Sequence, residues 1–471
     1  MADAPQVGRG RRIAVVGAGP SGFYCTEQLL ARGFAVDLID LLPTPFGLVR
    51  AGVAPDHPKL KSVTRVYEKT ARHPGFRFFG GIALGDDVSR EDLLARYHAV
   101  VYAVGTADDN RLGIPGEDRP GSYAATRFVA WYNGHPDATD EQFDLSASRA
   151  VVVGNGNVAL DVARMLVLDP DELSPTDTAD HALAAFADSR VEEVVLLGRR
   201  GPAQASFTNP ELRELGDLSR AEPVVDPAEL ELDEHSRRWL ETEADPTARR
   251  NYALLQDYAA RPPSGAGHRI TLRFLRSPVE IRGNGRVEAI DVRRNELVRT
   301  DDGALRARPV DEAVETIECG LVLRSVGYQA VPLPDVPFDE RHFVLPNRSG
   351  RVLSVDGELL PGVYAVGWIK RGPTGILGTN KRDAEQTVSC LVEDLAAGVL
   401  PEPPRPEPID ALLAERKPDL VTVDGWRAID GTELEHGRRR ARPRVKLASR
   451  EELLAAASTS AGEPVAADGH R

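Results

Sequence analysis

Apolar runs with two different spacings alternate at the start of the chain. IAVVGAGPSG (13–22) opens as a β-branched apolar strand and runs into three glycines. FYCTEQLLARG (23–33) reads as a helix ending on Gly33, and AVDLID (35–40) as a second strand ending on Asp40. The same strand–glycine–helix pattern returns at AVVVGNGNVALD (150–161), with its helix in VALDVARMLV and its next strand delayed to VEEVVLLG (191–198). A glycine- and proline-rich stretch fills 43–58 and a polar insert fills 169–190. Short strand-like runs follow between 267 and 330 (RITLRFL, VEAIDVRR, CGLVLRSVG). The pattern then turns back to strand and helix, with a helix expected over about 380–398 and a linker-like tail beginning PEPPRPEP at 401. VVYAVGT (100–106) and VYAVGW (363–368) read as buried strands on either side of an insertion.

Each glycine of the first loop has a physical task. In G-x-G-x-x-G spacing, Gly17 permits a tight turn, Gly19 lets a pyrophosphate approach the backbone, and Gly22 lets helix and strand pack closely. The helix N-terminus that follows offers unpaired N–H groups to phosphate oxygens. Asp40 stands where an acid accepts from a ribose hydroxyl, so the first loop is expected to hold a dinucleotide with a free 2′-hydroxyl, FAD or NAD. The second loop reads G-x-G-x-x-A, with Gly154, Gly156 and Ala159, but Arg199 and Arg200 replace the acid at its second strand end. Two guanidiniums suit a 2′-phosphate, so NADP(H) is expected there. Two dinucleotides imply a flavin enzyme reduced by hydride from NADPH.

Composition narrows what receives the electrons. The chain is 42% hydrophobic and 28% charged, without an apolar run near the ~20 residues of a membrane span. Its net charge of −14 argues against nucleic acid as the partner. Cys25, Cys319 and Cys390 are far apart, so no CxxC redox pair, iron–sulfur site or disulfide framework is expected, and no metal site. Electrons must then leave the flavin directly for a protein, oxygen or a small molecule. Met1 to Arg12 shows no apolar signal core, from which a cytoplasmic location is expected.

Five longer stretches are specific: LLPTPFGLVRAGVAPDHPKLKSV (41–63), GNGNVALDVARML (154–166), TDTADHA (176–182), LGRRGPAQASFTNPELREL (197–215) and GWIKRGPTGILGTNK (367–381). They resemble the adrenodoxin-reductase family of NADPH–ferredoxin reductases, and the resemblance runs from about Arg12 to Lys446. It implies a bacterial-type member and an α/β fold of two Rossmann-like domains. The FAD domain is expected over 1–108 and 333–471 with a tail from about 400, and the NADP domain, inserted into it, over 109–332. By the resemblance, FAD contacts fall on Ser21, Asp40, Leu48, Ile82, Trp368 and the backbone of Gly375, Ile376 and Leu377. NADP contacts fall on Asn155, Gly156, Asn157, Val158, Arg199, Arg200 and Glu211, with Gly375 where nicotinamide meets flavin. Asp40 replaces the glutamate common at its place, and Trp368 stands where other two-dinucleotide flavoproteins carry aspartate.

His57, Glu211 and Asp161 are the titratable candidates for positioning and proton management beside the flavin. His57 is read equally as a turn residue between Pro55 and Pro58. Glu211 has an alternative reading as an ordinary first-turn acid after an Asn209 cap and Pro210. The expected activity is ferredoxin–NADP(+) reduction, with NADPH-dependent oxygen reduction (a flavin oxidase or monooxygenase) and a nucleotide-sensing flavoprotein scaffold as rivals. A basic docking face for ferredoxin is sought in Arg237, Arg238, Arg249, Arg250 and Arg261, though Glu241, Glu243, Asp245 and Asp257 in the same segment favour a solvated mixed-charge helix there, or in GRRRARPRVKLASR (437–450), which reads as a docking arm, a flexible tail or an NADPH-side contact.

Overall fold

The first apolar run forms β1 (Arg12–Val16), buried from Ile13 onward as a central parallel strand must be. A computed structural model describes residues 6–106, 108–301, 303–375 and 377–459. Helix α1 (Pro20–Leu30) carries proline in its first turn, and the chain turns at Gly33 (φ +86°) into β2 (Ala35–Asp40). β3 (Phe76–Gly80) joins β2 in parallel, and β4 (Ala99–Tyr102) joins β1 on its other side. Past Asp108 the chain leaves this sheet and builds a second compact unit, which spans 109–327 and also takes in Ala54–Asp56.

The second unit begins with β5 (Ser122–Ala124) and β6 (Arg149–Val153), followed by α2 (Asn157–Val167) and β7 (Glu193–Leu197). Next come α3 (Asn209–Glu214), β8 (Ala221–Val225), α4 (Pro246–Ala260) and β9 (His268–Arg273). β10 (Arg276–Arg282), β11 (Ala289–Arg299) and β12 (Leu305–Glu318) form an antiparallel sheet before β13 (Leu321–Arg324) closes the unit. The main sheet is parallel, in the order β5-β13-β6-β7-β9-β8. Its two faces follow the period-2 alternation of its strands. Ala150, Val152, Val194 and Leu196 pack against helices, whereas Val151, Val153, Val195 and Leu197 pack against Ile281, Ile290 and Val292 of the antiparallel sheet. The polar insert folds as two short helices, Pro170–Leu173 and Asp180–Ala187, whose Leu173, Ala182 and Phe186 reach the helical core.

From Tyr328 the chain is again part of the first unit. β14 (Asn347–Arg348), β15 (Arg351–Leu353) and β16 (Leu359–Ala365) extend the first sheet to β14-β15-β16-β4-β1-β2-β3, with β16 parallel to β4. Helix α5 (Leu377–Ala396) begins three residues before the expected 380. The linker-like reading of the tail holds only for the irregular stretch 401–408. Beyond it lie the helix Asp410–Arg416, α6 (Val423–Arg439) and α7 (Arg450–Ser458). Ile409, just before them, and Leu413, Trp426, Ile429 and Leu453 within them are buried in the cores of the first unit. Among the described residues no helix is long and apolar enough to cross a membrane, and no His/Cys/Asp/Glu group has metal-ligand geometry.

In both large sheets, the first mixed and the second parallel, the strand order reverses beside the glycine-loop strand: between β1 and β4 in the first, and between β6 and β13 in the second. Such switch points open a crevice at the carboxyl ends of the strands.

Candidate dinucleotide-binding sites

The first switch point is built around backbone that tolerates no side chain. A Cβ on Gly17 (φ +111°) would lie 2.7 Å from the Ala103 carbonyl oxygen beyond β4, and one on Gly22 only 1.9 Å from the Gly17 oxygen. Gly19 differs: a Cβ there would meet nothing within 4 Å. It is also the N-cap of α1 and gives that helix end no side-chain hydrogen bond. Space beside an uncapped helix N-terminus fits a phosphate group. The segment after β2 closes on this space. Phe46 N–H donates to the Ala18 oxygen at 2.8 Å while holding φ +85°, an outlier for a bulky residue, and Gly47 packs against Gly19.

Asp40 lines the same turn. Its Oδ2 accepts the Ala18 N–H at 2.5 Å and its Oδ1 the Leu42 N–H at 2.8 Å. Burial pushes its carboxyl above the ordinary aspartate value, against these two backbone donors. The shorter acid therefore braces the glycine loop, and each oxygen retains a lone pair for a further donor. Ile82 is buried and donates its N–H to the Asp40 carbonyl at 2.9 Å. Ser21 is buried against Gly367, which itself donates to Asp383 at 2.5 Å. Asp383 also binds Lys370 at 2.7 Å, a buried pair that sequence reasoning missed because its members come from two separate helices. Leu48 is exposed, Trp368 is half-buried with its ring 5.5 Å from Tyr328, and Gly375 is exposed at φ +86°. Leu377 opens α5, and Ile376 lies outside the described residues. His57 precedes the short helix Pro58–Lys61, where its carbonyl accepts the Leu60 N–H at 3.1 Å.

The second site repeats the geometry within its own unit. A Cβ on Gly154 (φ +140°) would come 2.2 Å from the Ser325 oxygen just after β13, whereas one on Gly156, the N-cap of α2, would meet nothing within 4 Å. Asn157 Oδ1 accepts the Thr208 N–H at 2.8 Å, and the Asn155 carbonyl accepts the Ser206 N–H at 3.0 Å, so the 206–208 loop is tied to the glycine loop. The Asn155 Nδ2 is buried without a partner among the described residues. Val158 packs against the helical core from the first turn of α2. Arg199 and Arg200 follow β7, and Arg200 donates to Ser206 Oγ at 2.8 Å. Burial and the neighbouring Arg199 charge hold Arg200 below the ordinary arginine range. Two adjacent cations without an acidic partner among the described residues fit a doubly charged phosphate.

Glu211 sits in the first turn of α3, and its Oε2 is buried without a hydrogen-bond partner among the described residues. The cap of that helix is Thr208, not Asn209. The Asn209 side chain turns away to Asn251 Oδ1 (2.5 Å) and the Thr247 carbonyl (3.1 Å). Asp161 accepts from Arg164 at 3.0 Å. Arg164 is 3% exposed and also holds Asp56 at 2.8 Å and Glu214 at 2.9 Å. The sequence gives no local sign of this cluster, since its members come from residues 56, 161, 164 and 214.

Residues 11–200 match the family model described as pyridine nucleotide-disulphide oxidoreductase. Over 94% of this chain and 97% of its own length, the NADPH-ferredoxin reductase FprA of Mycobacterium leprae is 49% identical. The mitochondrial NADPH:adrenodoxin oxidoreductase of Homo sapiens is 42% identical over 94% of this chain and 91% of its own length. The chain belongs to the adrenodoxin-reductase-type NADPH–ferredoxin reductases. The solved structure of Mycobacterium tuberculosis FprA in complex with NADPH superimposes with a TM-score of 0.90 at 47% identity, covering 95% of this chain and all of that one.

As a member of this reductase family, the chain departs from the disulphide chemistry in the matched model's description. Its three thiols are all free and buried. Burial pushes Cys25 and Cys319 up to about 12.

Proposed function

We propose that this reductase holds FAD on the first unit and NADP(H) on the second, oxidises NADPH by hydride transfer, and passes electrons one at a time to two ferredoxin molecules. The observation that carries this is the contrast between two otherwise equivalent glycine loops: only the second ends on two unneutralised arginines. When bound, FAD supplies the conversion of a two-electron donor into one-electron steps.

The chain's own residues bind and position. Gly19 and Gly156 leave room for a pyrophosphate at two helix N-termini. Ser21, Asp40, Leu48, Ile82, Trp368 and the backbone at 375–377 are the residues proposed to hold FAD. Asn155, Gly156, Asn157, Val158, Arg199 and Arg200 are those proposed to hold NADP(H). The buried, partnerless Nδ2 of Asn155 and Oε2 of Glu211 are the polar atoms a bound nucleotide would satisfy. His57 and Glu211 are proposed to position the reacting rings, because hydride transfer depends on alignment more than on acid–base help. Asp161 is assigned to orienting Arg164, the side chain it binds.

Ferredoxin as the partner, and a cytoplasmic location where it would be met, complete the reading. The test is NADPH-driven reduction of cytochrome c with and without added ferredoxin by the purified flavoprotein. A strong ferredoxin dependence and a preference for NADPH over NADH are expected. A chain that binds no FAD, or stoichiometric peroxide formation unchanged by ferredoxin, would overturn the proposal.

A further inference from the structure

The two basic segments conspicuous in the sequence are largely spent on the protein itself. Arg237 donates to the Leu232 carbonyl, Arg249 to those of Leu240 and Glu241, and Arg261 lies 4.6 Å from the Tyr258 ring centroid. In 437–450, Arg444 binds Asp430 and Glu433, Lys446 donates to the Arg50 carbonyl, and Arg438 and Arg439 pair with Glu435. A third stretch behaves differently. PKLKSVTRVYEKTAR (58–72) carries five cationic residues and one acid, in a chain whose net charge is −14.

The stretch is helical over Pro58–Lys61 and Thr64–Ala71. Its inward side is fixed: Tyr67 and Thr70 are buried, and the Tyr67 ring lies 4.8 Å from Phe23 and 5.6 Å from Tyr24 of α1. Its outward side carries Arg65, Lys69 and Arg72, all exposed, at spacings of four and three residues that put them on one helix face. Lys59 is exposed just upstream. Among the described residues none of these four has an acidic partner, and Glu68, the only acid of the stretch, is half-buried. Leu60 and Val66, 46% and 41% exposed, stand among them. Like charges at helical neighbour positions weaken a helix left alone in water. Exposed apolar side chains ringed by cations have the make-up of a protein interface that meets an anionic surface.

We infer that the outward face of 58–72 is the docking surface for an acidic electron-carrier protein, the acceptor of the proposed reaction on which this inference rests. The face lies on the far side of a helix that packs directly on α1, the helix rising from the first glycine loop. A carrier seated there meets the flavin-binding unit, and its attraction is long-ranged and screened by salt.

The test compares the full-length flavoprotein with the double variant Arg65→Glu/Lys69→Glu, using an acidic [2Fe–2S] ferredoxin as the probe and ferricyanide as a small acceptor. The KM for ferredoxin is expected to rise about tenfold or more at low salt, with the gap closing near about 0.5 M NaCl. The rate of ferricyanide reduction by NADPH and the melting temperature are expected to stay unchanged. The neutral variant Lys69→Ala should give an intermediate KM. An unchanged ferredoxin KM, or an equal rise from Arg237→Glu/Arg238→Glu on the second unit, would overturn the docking assignment. Ferricyanide reduction by NADPH without ferredoxin reduction by the parent protein would overturn the underlying reading instead.

Discussion

Arg50 and Glu433, 383 residues apart in the chain, meet in a two-pronged ion pair of 2.8 and 2.5 Å with the carboxylate fully buried. Arg444 reaches the same carboxylate at 3.0 Å, and the Leu447 N–H donates to it at 2.9 Å. Burial works to raise the Glu433 pKa, yet the two arginines hold it below the ordinary glutamate value. Removing one member of such a cluster leaves charges unpaired in the interior, so Glu433→Gln is expected to cost about 3–5 kcal/mol of stability, measured by urea unfolding of the holoprotein.

The same carboxylate sets a pH dependence. A depressed folded-state pKa means that its stabilisation is complete above the unfolded value of about 4.5 and is lost as pH falls through the lower folded value. Glu193 and Glu315 shift in the same direction, each overcoming burial through arginine partners. Urea midpoints at decreasing pH should therefore fall steeply below about 4.5. In Glu433→Gln the fall should be shallower; an identical slope would show that Glu433 is not part of it.

Replacing Arg199 and Arg200 together by alanine should raise the KM for NADPH far more than that for NADH. A lost hydrogen bond to a charged group is worth about 1.5–3 kcal/mol, so the combined effect should exceed about a hundredfold. Equal effects on the two nucleotides would remove the 2′-phosphate assignment.

Gly19→Ala and Gly22→Ala should separate cofactor binding from folding. At Gly19 a methyl group meets open space, so the melting temperature of the FAD-free protein should hold while FAD affinity drops. At Gly22 it collides with the Gly17 oxygen at 1.9 Å, and both properties should fail. Fluorescence titration with FAD and thermal melts of the FAD-free proteins read the two effects apart.

With all three thiols buried, and Cys25 and Cys319 held protonated by that burial, the enzyme should resist iodoacetamide in the native state and accept one NADPH per flavin in anaerobic titration. Uptake of a second equivalent would reveal a redox disulfide.

Both glycine loops were legible because their signal is local: a β-branched strand, glycines at fixed spacing and a helix within about ten residues of each other. Asp40 was legible as a position but not as a bond, since its donor, Ala18, is brought back to it by the turn between strand and helix. The Thr208 cap was missed because Asn209 is itself a good cap by type, and only its capture by Asn251 shows why it does not serve. The C-terminal helices hid behind a proline-rich lead-in and a high charge content. Their few apolar residues are anchored by pairing such as that of Glu433 with Arg50, which sequence spacing cannot show.

Asp56 illustrates how little of the division between the two units is a clean cut in the chain. Three residues from the N-terminal part, 54–56, are counted with the second unit, and Asp56 is clasped there by Arg164. Exchanging residues 109–327 for the equivalent part of a relative with another nucleotide preference would bring in a foreign cradle for Asp56 while leaving the original tripeptide behind. A workable chimaera must carry 54–56 across with the block, so the inheritable module is larger than the contiguous insertion.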